Sequence, residues 1–201
     1  MVILLSLDDD RKELLSLMAR DRYSVAFLAL LLILLTGCQI MNQNPLATVG
    51  HVDLERYMGD WYVIASIPTL FEKDAYNAIE SYRLNADGTV ATTFTFHQGG
   101  FNGPLKRYTP TGYVDDSGSN AVWGMQFVWP IKADYRVMYL SEDYGLTIVG
   151  RKKRDYVWIM ARTPEISEAE YESSVQFVAN QGYDVSQMRK VPQRWEPDKA
   201  N

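Results

Sequence analysis

Between Trp61 and Arg162 the chain is a succession of β-prone runs of about four to eight residues, cut apart by turn residues and never settling into a helical period. The runs fall at 61–65, 79–84, 89–96, 107–114, 122–128, 135–140, 146–150 and 156–162. Asp87-Gly88 is a two-residue hairpin signal, because the conformations that match strand twist need residues tolerant of positive φ. Gly99-Gly100 with Gly103-Pro104, Asp115-Asp116-Ser117-Gly118, Glu142-Asp143-Tyr144-Gly145 and Arg151-Lys152-Lys153-Arg154 punctuate the rest. An open sheet of short antiparallel strands would leave two edges of unpaired N–H and C=O groups, and rolling it until the edges meet removes both. The expected fold is therefore all-β, an eight-stranded up-and-down antiparallel barrel.

Chain direction then sets the two ends. Asp53 is a natural N-cap for one short helical turn before Gly59, and strand one leaves from that end. The connections at 68–77, 97–105, 129–134 and 151–155 belong at the opposite, open end, and Arg162 returns beside Trp61. Beyond Arg162 the period changes. Ser167-Glu168-Ala169-Glu170 reads as a capping box, Tyr171, Val175 and Val178 share one helical face, and Gly182 is a stop. A helix over 167–181 packed on the barrel exterior is expected, followed by a short extra strand at 188–191.

The first part of the chain carries a different signal. Residues 25–35 are unbroken apolar, well short of the roughly 20 that a membrane-crossing helix needs, and Arg20 and Arg22 precede them. This is the pattern of an export signal. Asp8, Asp9 and Asp10 make a poor basic flank, so translation is expected to begin at Met18, with Met1 as the alternative. Leu35-Thr36-Gly37-Cys38 resembles the lipobox of bacterial lipoproteins, and Cys38 is the only cysteine in the chain. The expected division is a signal peptide over 1–37, a lipidated flexible tether over 38–50 that begins at acylated Cys38, and a folded domain over 51–201. With that thiol acylated no disulfide is possible, and stability rests on packing. Gln39 stands where the resemblance would place Asp in an inner-membrane lipoprotein, which implies the outer membrane, facing the periplasm.

A net charge of −5 argues against a nucleic-acid surface, which needs basic stripes to displace phosphate counterions. The two histidines, His51 and His97, do not stand in a zinc spacing, and no Gly-x-Ser-x-Gly elbow or second thiol is present. No metal, no cofactor and no catalytic residue is expected, although burial of a carboxylate such as Glu80 would reopen the question.

The whole arrangement resembles the lipocalins, and within them the bacterial outer-membrane lipocalins and apolipoprotein D. Gly59-Asp60-Trp61 matches the first family motif, Ser141-Glu142-Asp143-Tyr144 stands at the second and Arg162 is the third, while residues 155–164 look like the strand-eight signature of that branch. The resemblance implies that Arg162 lies over Trp61 at the closed end, with Gly59 beside them, as barrel closure. Alternation puts Tyr156, Trp158 and Met160 on the face of Arg162. By resemblance the remaining pocket residues are Phe94, Phe96, Tyr113, Phe127, Tyr135, Val137 and Tyr139. Trp158 matches a pocket tryptophan, and Tyr139 stands where relatives carry a small residue, implying a narrower cavity. Aromatics in an apolar cup suit an amphipathic lipid, a fatty acid or a lysophospholipid, and Arg151, Lys152, Lys153 and Arg154 at the mouth, with Lys106 and Lys132, suit an anionic head group. The resemblance implies a binding and transport protein held to the membrane through Cys38, and allows a homodimer. The competing readings are a structural or interaction lipoprotein whose barrel is filled by its own aromatics, and a lipid-processing enzyme on the same fold.

Overall fold

The computed structural model describes residues 45–195. The stretch expected as a signal peptide, Met18 and Cys38 lie outside the described residues. After a short helix α1 (Leu54–Tyr57), the strands are β1 (Gly59–Ile67), β2 (Ala75–Leu84), β3 (Thr89–Gln98), β4 (Leu105–Tyr108), β5 (Thr111–Val114), β6 (Val122–Val128), β7 (Ile131–Leu140), β8 (Leu146–Gly150) and β9 (Val157–Ala161). A helix α2 (Glu168–Asn180), a 3₁₀ turn (Val185–Gln187) and β10 (Arg189–Lys190) follow. Each strand pairs antiparallel with its neighbour, and β9 returns to pair with β1, closing the sheet. β4 and β5 are two pieces of the single run expected at 107–114, so the barrel has eight staves. The break falls at Thr109-Pro110, where proline has no N–H to give a ladder and its carbonyl instead accepts from the Thr92 amide at 3.1 Å.

Turn chemistry sets the register. At Asp87-Gly88 the Asp87 carboxylate accepts from the Thr89 amide at 3.0 Å and its hydroxyl at 2.6 Å, while Gly88 adopts φ +80°. Asp53 caps α1 by accepting from the Arg56 amide at 3.2 Å. In α2 the Ser167 hydroxyl accepts from the Glu170 amide, and the Glu170 carboxylate accepts from the Ser167 amide, forming the expected capping box. Val178 is buried, and Tyr171 and Val175 pack with it against Ile64, Val157, Ile159 and Ala161. Helix and outer wall thus form one apolar cluster, and the barrel interior forms another.

The seam between β1 and β2 is incomplete. β1 pairs with β2 only over residues 59–62, and higher up Ala65 and Ser66 pair with Lys190 and Arg189 of β10. Gln193 then donates its side-chain amide to the carbonyls of Val63 and Ala78 at 2.8 and 3.2 Å. The expected extra strand therefore satisfies backbone groups that the splayed strands leave open. The stretch expected as a tether is also engaged over its described part, because Leu46 is buried in the outer cluster and the Val49 amide donates to the Val137 carbonyl at 3.0 Å.

At the closed end the Arg162 guanidinium lies 3.8 Å from the centre of the Trp61 ring. Its Nη2 donates to the carbonyls of Arg56, Tyr57 and Met58 at 2.9, 3.1 and 2.8 Å, and Nη1 donates to that of Asp60 at 2.8 Å. These carbonyls terminate α1 and begin β1, so one side chain ties helix, first strand and last strand together. Gly59 has φ +94°, and a Cβ there would stand 3.3 Å from Arg162 Nη1, so both conformation and space favour glycine. Arg162→Met removes the cation–π contact and the carbonyl partners together and is expected to cost about 2–4 kcal/mol. That is a fall in melting temperature of roughly 5–12 °C. An unchanged melting curve would rule out this role for Arg162.

Candidate functional site

The interior has two levels. Near the closed end Tyr57, Trp61, Tyr82, Trp123 and Tyr135 interlock as a floor, with the Trp123 and Tyr135 rings stacked at 4.9 Å. The Tyr135 hydroxyl is hydrogen-bonded to those of Tyr82 at 2.7 Å and Tyr57 at 3.1 Å, and Tyr57 also reaches Thr147 Oγ1 at 3.3 Å. The Trp61 indole donates to the Tyr57 carbonyl and that of Trp123 to the Asn120 carbonyl. Burial pushes the Tyr57 hydroxyl up to about 12 and the other two well above the usual phenol value, so all three stay neutral. This layer is packed and its polar groups are satisfied.

Above the floor the lining changes. Phe94, Phe96 and Tyr108 form one aromatic group, with the Tyr108 ring stacked on both phenylalanines at 6.5 and 6.2 Å between centres. Met125, Val149, Met160 and Trp158 belong to the same interior cluster. Between this level and the floor sits Glu80, which cross-strand pairing sets opposite Trp61 on one side and Phe94 on the other. Burial, with the charge of Glu72 as a second cause, pushes its carboxyl up to about 8. Glu80 itself is half-buried. Glu72 lies higher, in the loop between β1 and β2, where its carboxylate accepts from the Trp158 indole at 2.9 Å and the Thr69 hydroxyl at 2.7 Å. Burial raises its pKa, and those two donors oppose the rise.

The expected pocket residues divide. Phe94, Phe96, Trp158 and Met160 line the upper interior, whereas Tyr135 and Val137 belong to the packed interior cluster around the floor. Tyr113 lies on the outer face, against Lys132 at 3.6 Å and hydrogen-bonded to Gln126. Its neighbour Gly112 faces inward, close to Val90, Trp123 and Met125, which leave no room there for a tyrosine. Tyr139 is also outside, 5.7 Å from the Phe177 ring of α2, because a register shift between Val137 and Tyr139 inverts the alternation. It therefore does not narrow the cavity. Phe127 is exposed at the rim, past another shift between Met125 and Val128, and Tyr156 sits at the rim with the Arg151 guanidinium 5.2 Å from its ring.

The basic mouth run divides too. Arg151 pairs with Asp155 at 3.4 Å, and Arg154 Nε donates to the Gln181 carbonyl at the end of α2, so both have structural work. Lys152 and Lys153 remain exposed. Glu72, Tyr108 and Met125 were not expected at the site. Tyr108 faces inward opposite Phe94, on the same alternation as Gly112 and opposite to the one expected from Tyr113, and Glu72 reaches inward from an irregular loop. Among the described residues no group of three His, Cys, Asp or Glu could hold a metal ion. An open depression of about 490 Å³, lined by Leu54, Gly88, Tyr113 and Asp115, lies outside at the closed end, away from both carboxyls.

Glu80 makes stability depend on pH. The folded chain keeps its proton up to about pH 8, while the unfolded chain loses it near the ordinary value of 4.5. Its contribution is full below that value and is lost as pH rises through 8. Melting temperature is expected to fall between pH 5 and pH 9, and Glu80→Gln to flatten the fall. The same slope in both proteins would show that the group does not titrate this way.

Comparison with known proteins agrees with this geometry. Residues 52–193 match the lipocalin-like domain family. The chain is 32% identical over 169 residues to temperature-induced lipocalin-1 of Arabidopsis thaliana, covering 80% of this chain and 89% of that one. It is 29% identical over 148 residues to the outer membrane lipoprotein Blc of Escherichia coli K12, covering 72% and 81%. Among solved structures, insecticyanin from the tobacco hornworm Manduca sexta superposes with a TM-score of 0.59 at 15% identity, covering 76% and 86%. The closed eight-stranded barrel, the external helix and the Arg162–Trp61 closure, together with these matches, make the chain a member of the lipocalin family.

Proposed function

We propose that the protein is a lipid-binding lipocalin anchored to the bacterial outer membrane through acylated Cys38, which carries or stores a single-chain lipid such as a fatty acid or lysophospholipid on the periplasmic side. The observation that carries this reading is the open rim. Large apolar side chains that remain exposed gather there: Leu70 and Phe71 at 69%, Trp129 at 81%, and Leu105, Phe127, Val128 and Ile131 beside them. They lie in or directly flank the β1–β2, β3–β4 and β6–β7 connections, which all lie at the end away from Arg162. Leaving such groups in water is costly, and contact with a membrane or a lipid guest removes the cost. Several relatives are named outer membrane lipoproteins, which supports the location, and the lipobox at Cys38 supports the anchor.

Mechanism is reversible partition. An acyl chain entering at the rim leaves water for contact with Phe96, Tyr108, Trp158 and Met160, at roughly 25 cal/mol per Å² buried, less the ordering of chain and loops. The tyrosine floor limits how deep it travels. That same packed floor favours the second reading, a structural lipoprotein whose interior is self-filled and whose surface binds a partner or a second copy.

Titrating the domain, from about residue 40, with a fluorescent fatty acid and displacing it with lysophospholipid separates the two. Saturable one-site binding of micromolar order that quenches tryptophan and loses much of the quench in Trp158→Phe supports the carrier, and no binding leaves the structural reading. Neutralising Lys152 and Lys153 is expected to weaken anionic lipids more than neutral ones. Equal effects would count against head-group steering at the mouth.

A further inference from the structure

We propose that Glu80 and Glu72 form an acidic anchor inside the aromatic cup for the ammonium group of an amine-bearing amphiphile, so that the cup prefers such a guest over a free fatty acid of equal chain length. This rests on the cup being open to a guest, as in the function proposed above.

The geometry is specific. Glu80 faces the interior from the middle of β2, between Trp61 and Phe94. No hydrogen bond or ion pair engages its carboxyl among the described residues, whereas every floor hydroxyl below it is bonded. The groups acting on it electrostatically are the Glu72 carboxylate above and the Tyr57 and Tyr82 phenols below, the latter bonded to Tyr135. None of them is a cation. An enclosed carboxyl with an acidic neighbour, no donor and no counter-charge is an expensive arrangement for a merely structural residue. A ligand that brings both donors and positive charge resolves it.

The walls fit the same chemistry. Phe94, Phe96, Tyr108 and Trp158 belong to the same interior cluster, aromatic rings attract cations, and the carboxyls supply charge-assisted acceptors. Trp158 already gives its indole proton to Glu72, so that carboxylate is held in place rather than free to swing away. A fatty-acid carboxylate set beside Glu80 would instead meet two acidic groups, the cation on the same interior face being Lys106, opposite Phe96 and nearer the rim.

Because Glu80 is largely protonated near neutrality, seating an ammonium beside it expels the carboxyl proton to solvent and leaves a carboxylate–ammonium pair. Amine binding is thereby coupled to proton release, while binding of an uncharged chain is not.

The test uses the full chain carrying Cys38→Ser, titrated at pH 7 with dodecylamine, dodecanol and dodecanoate in buffers of different ionisation enthalpy. Dodecylamine is expected to bind at least tenfold tighter than dodecanoate and to release up to one proton, and dodecanol to release none. Glu80→Gln should abolish the proton release and cut dodecylamine affinity about tenfold while leaving dodecanol within twofold. Glu72→Gln should weaken dodecylamine less. Lysophosphatidylethanolamine, compared with lysophosphatidylglycerol, reports whether a lipid head group supplies the ammonium. Dependence of the former on Glu80 assigns a head-group amine, and independence assigns a free amine. Equal affinities for the three C12 probes, or equal losses in Glu80→Gln, overturn the amine anchor while leaving the carrier intact. Binding of no probe overturns the carrier reading and the anchor with it.

Discussion

A closed barrel needs its first and last strands to meet, and in this chain one cation holds that junction. Arg162 ends the last stave, lies over Trp61 of the first, and gives its N–H groups to four carbonyls between Arg56 and Asp60. Those carbonyls lie where α1 runs out and β1 has just begun, so no regular ladder is available to all of them. The guanidinium matches the need because its rigid fork can serve several acceptors at once while its face rests on an aromatic ring. Gly59 is part of the same device, leaving the path for that fork clear.

With that end sealed, the interior changes in character along one axis. The floor has aromatic bulk whose hydroxyls and indole N–H groups are all hydrogen-bonded. Beside it the sequence places a carboxyl at Glu80, opposite Trp61, with nothing to bond, and nearer the rim Glu72 is clamped by Trp158 and Thr69. At the rim, exposed apolar groups replace the polar residues that normally cover a loop. The polar groups are thus satisfied at the floor, unsatisfied at Glu80 and replaced by exposed apolar side chains at the rim.

Much of the barrel could be read from residues. Asp87-Gly88, the capping box at Ser167 and the Trp61–Arg162 pair each carry a local chemical requirement, and each appears as expected. The pocket wall was less legible. Alternation assigns faces only while the ladder stays in register, and the shifts beside Met138 and between Met125 and Val128 move Tyr139 and Phe127 out of the interior. Tyr113 failed for a different reason: the inward residue is Gly112, which has no side chain to announce its direction.

By itself the sequence determined the strand count, the closing pair, the outer helix and the absence of any disulfide among the folded strands, because these follow from turn residues, periodicity and a single cysteine at position 38. Only the tertiary structure decided that Glu80 and Glu72 share the cup, that Arg151 and Arg154 are bound to Asp155 and Gln181, and that residues 46–49 and 189–193 complete the wall. The physical reason is one of range. Local rules govern neighbours a few residues apart, whereas a carboxyl's environment and an open seam are set by strands and loops that the chain reaches only after many residues.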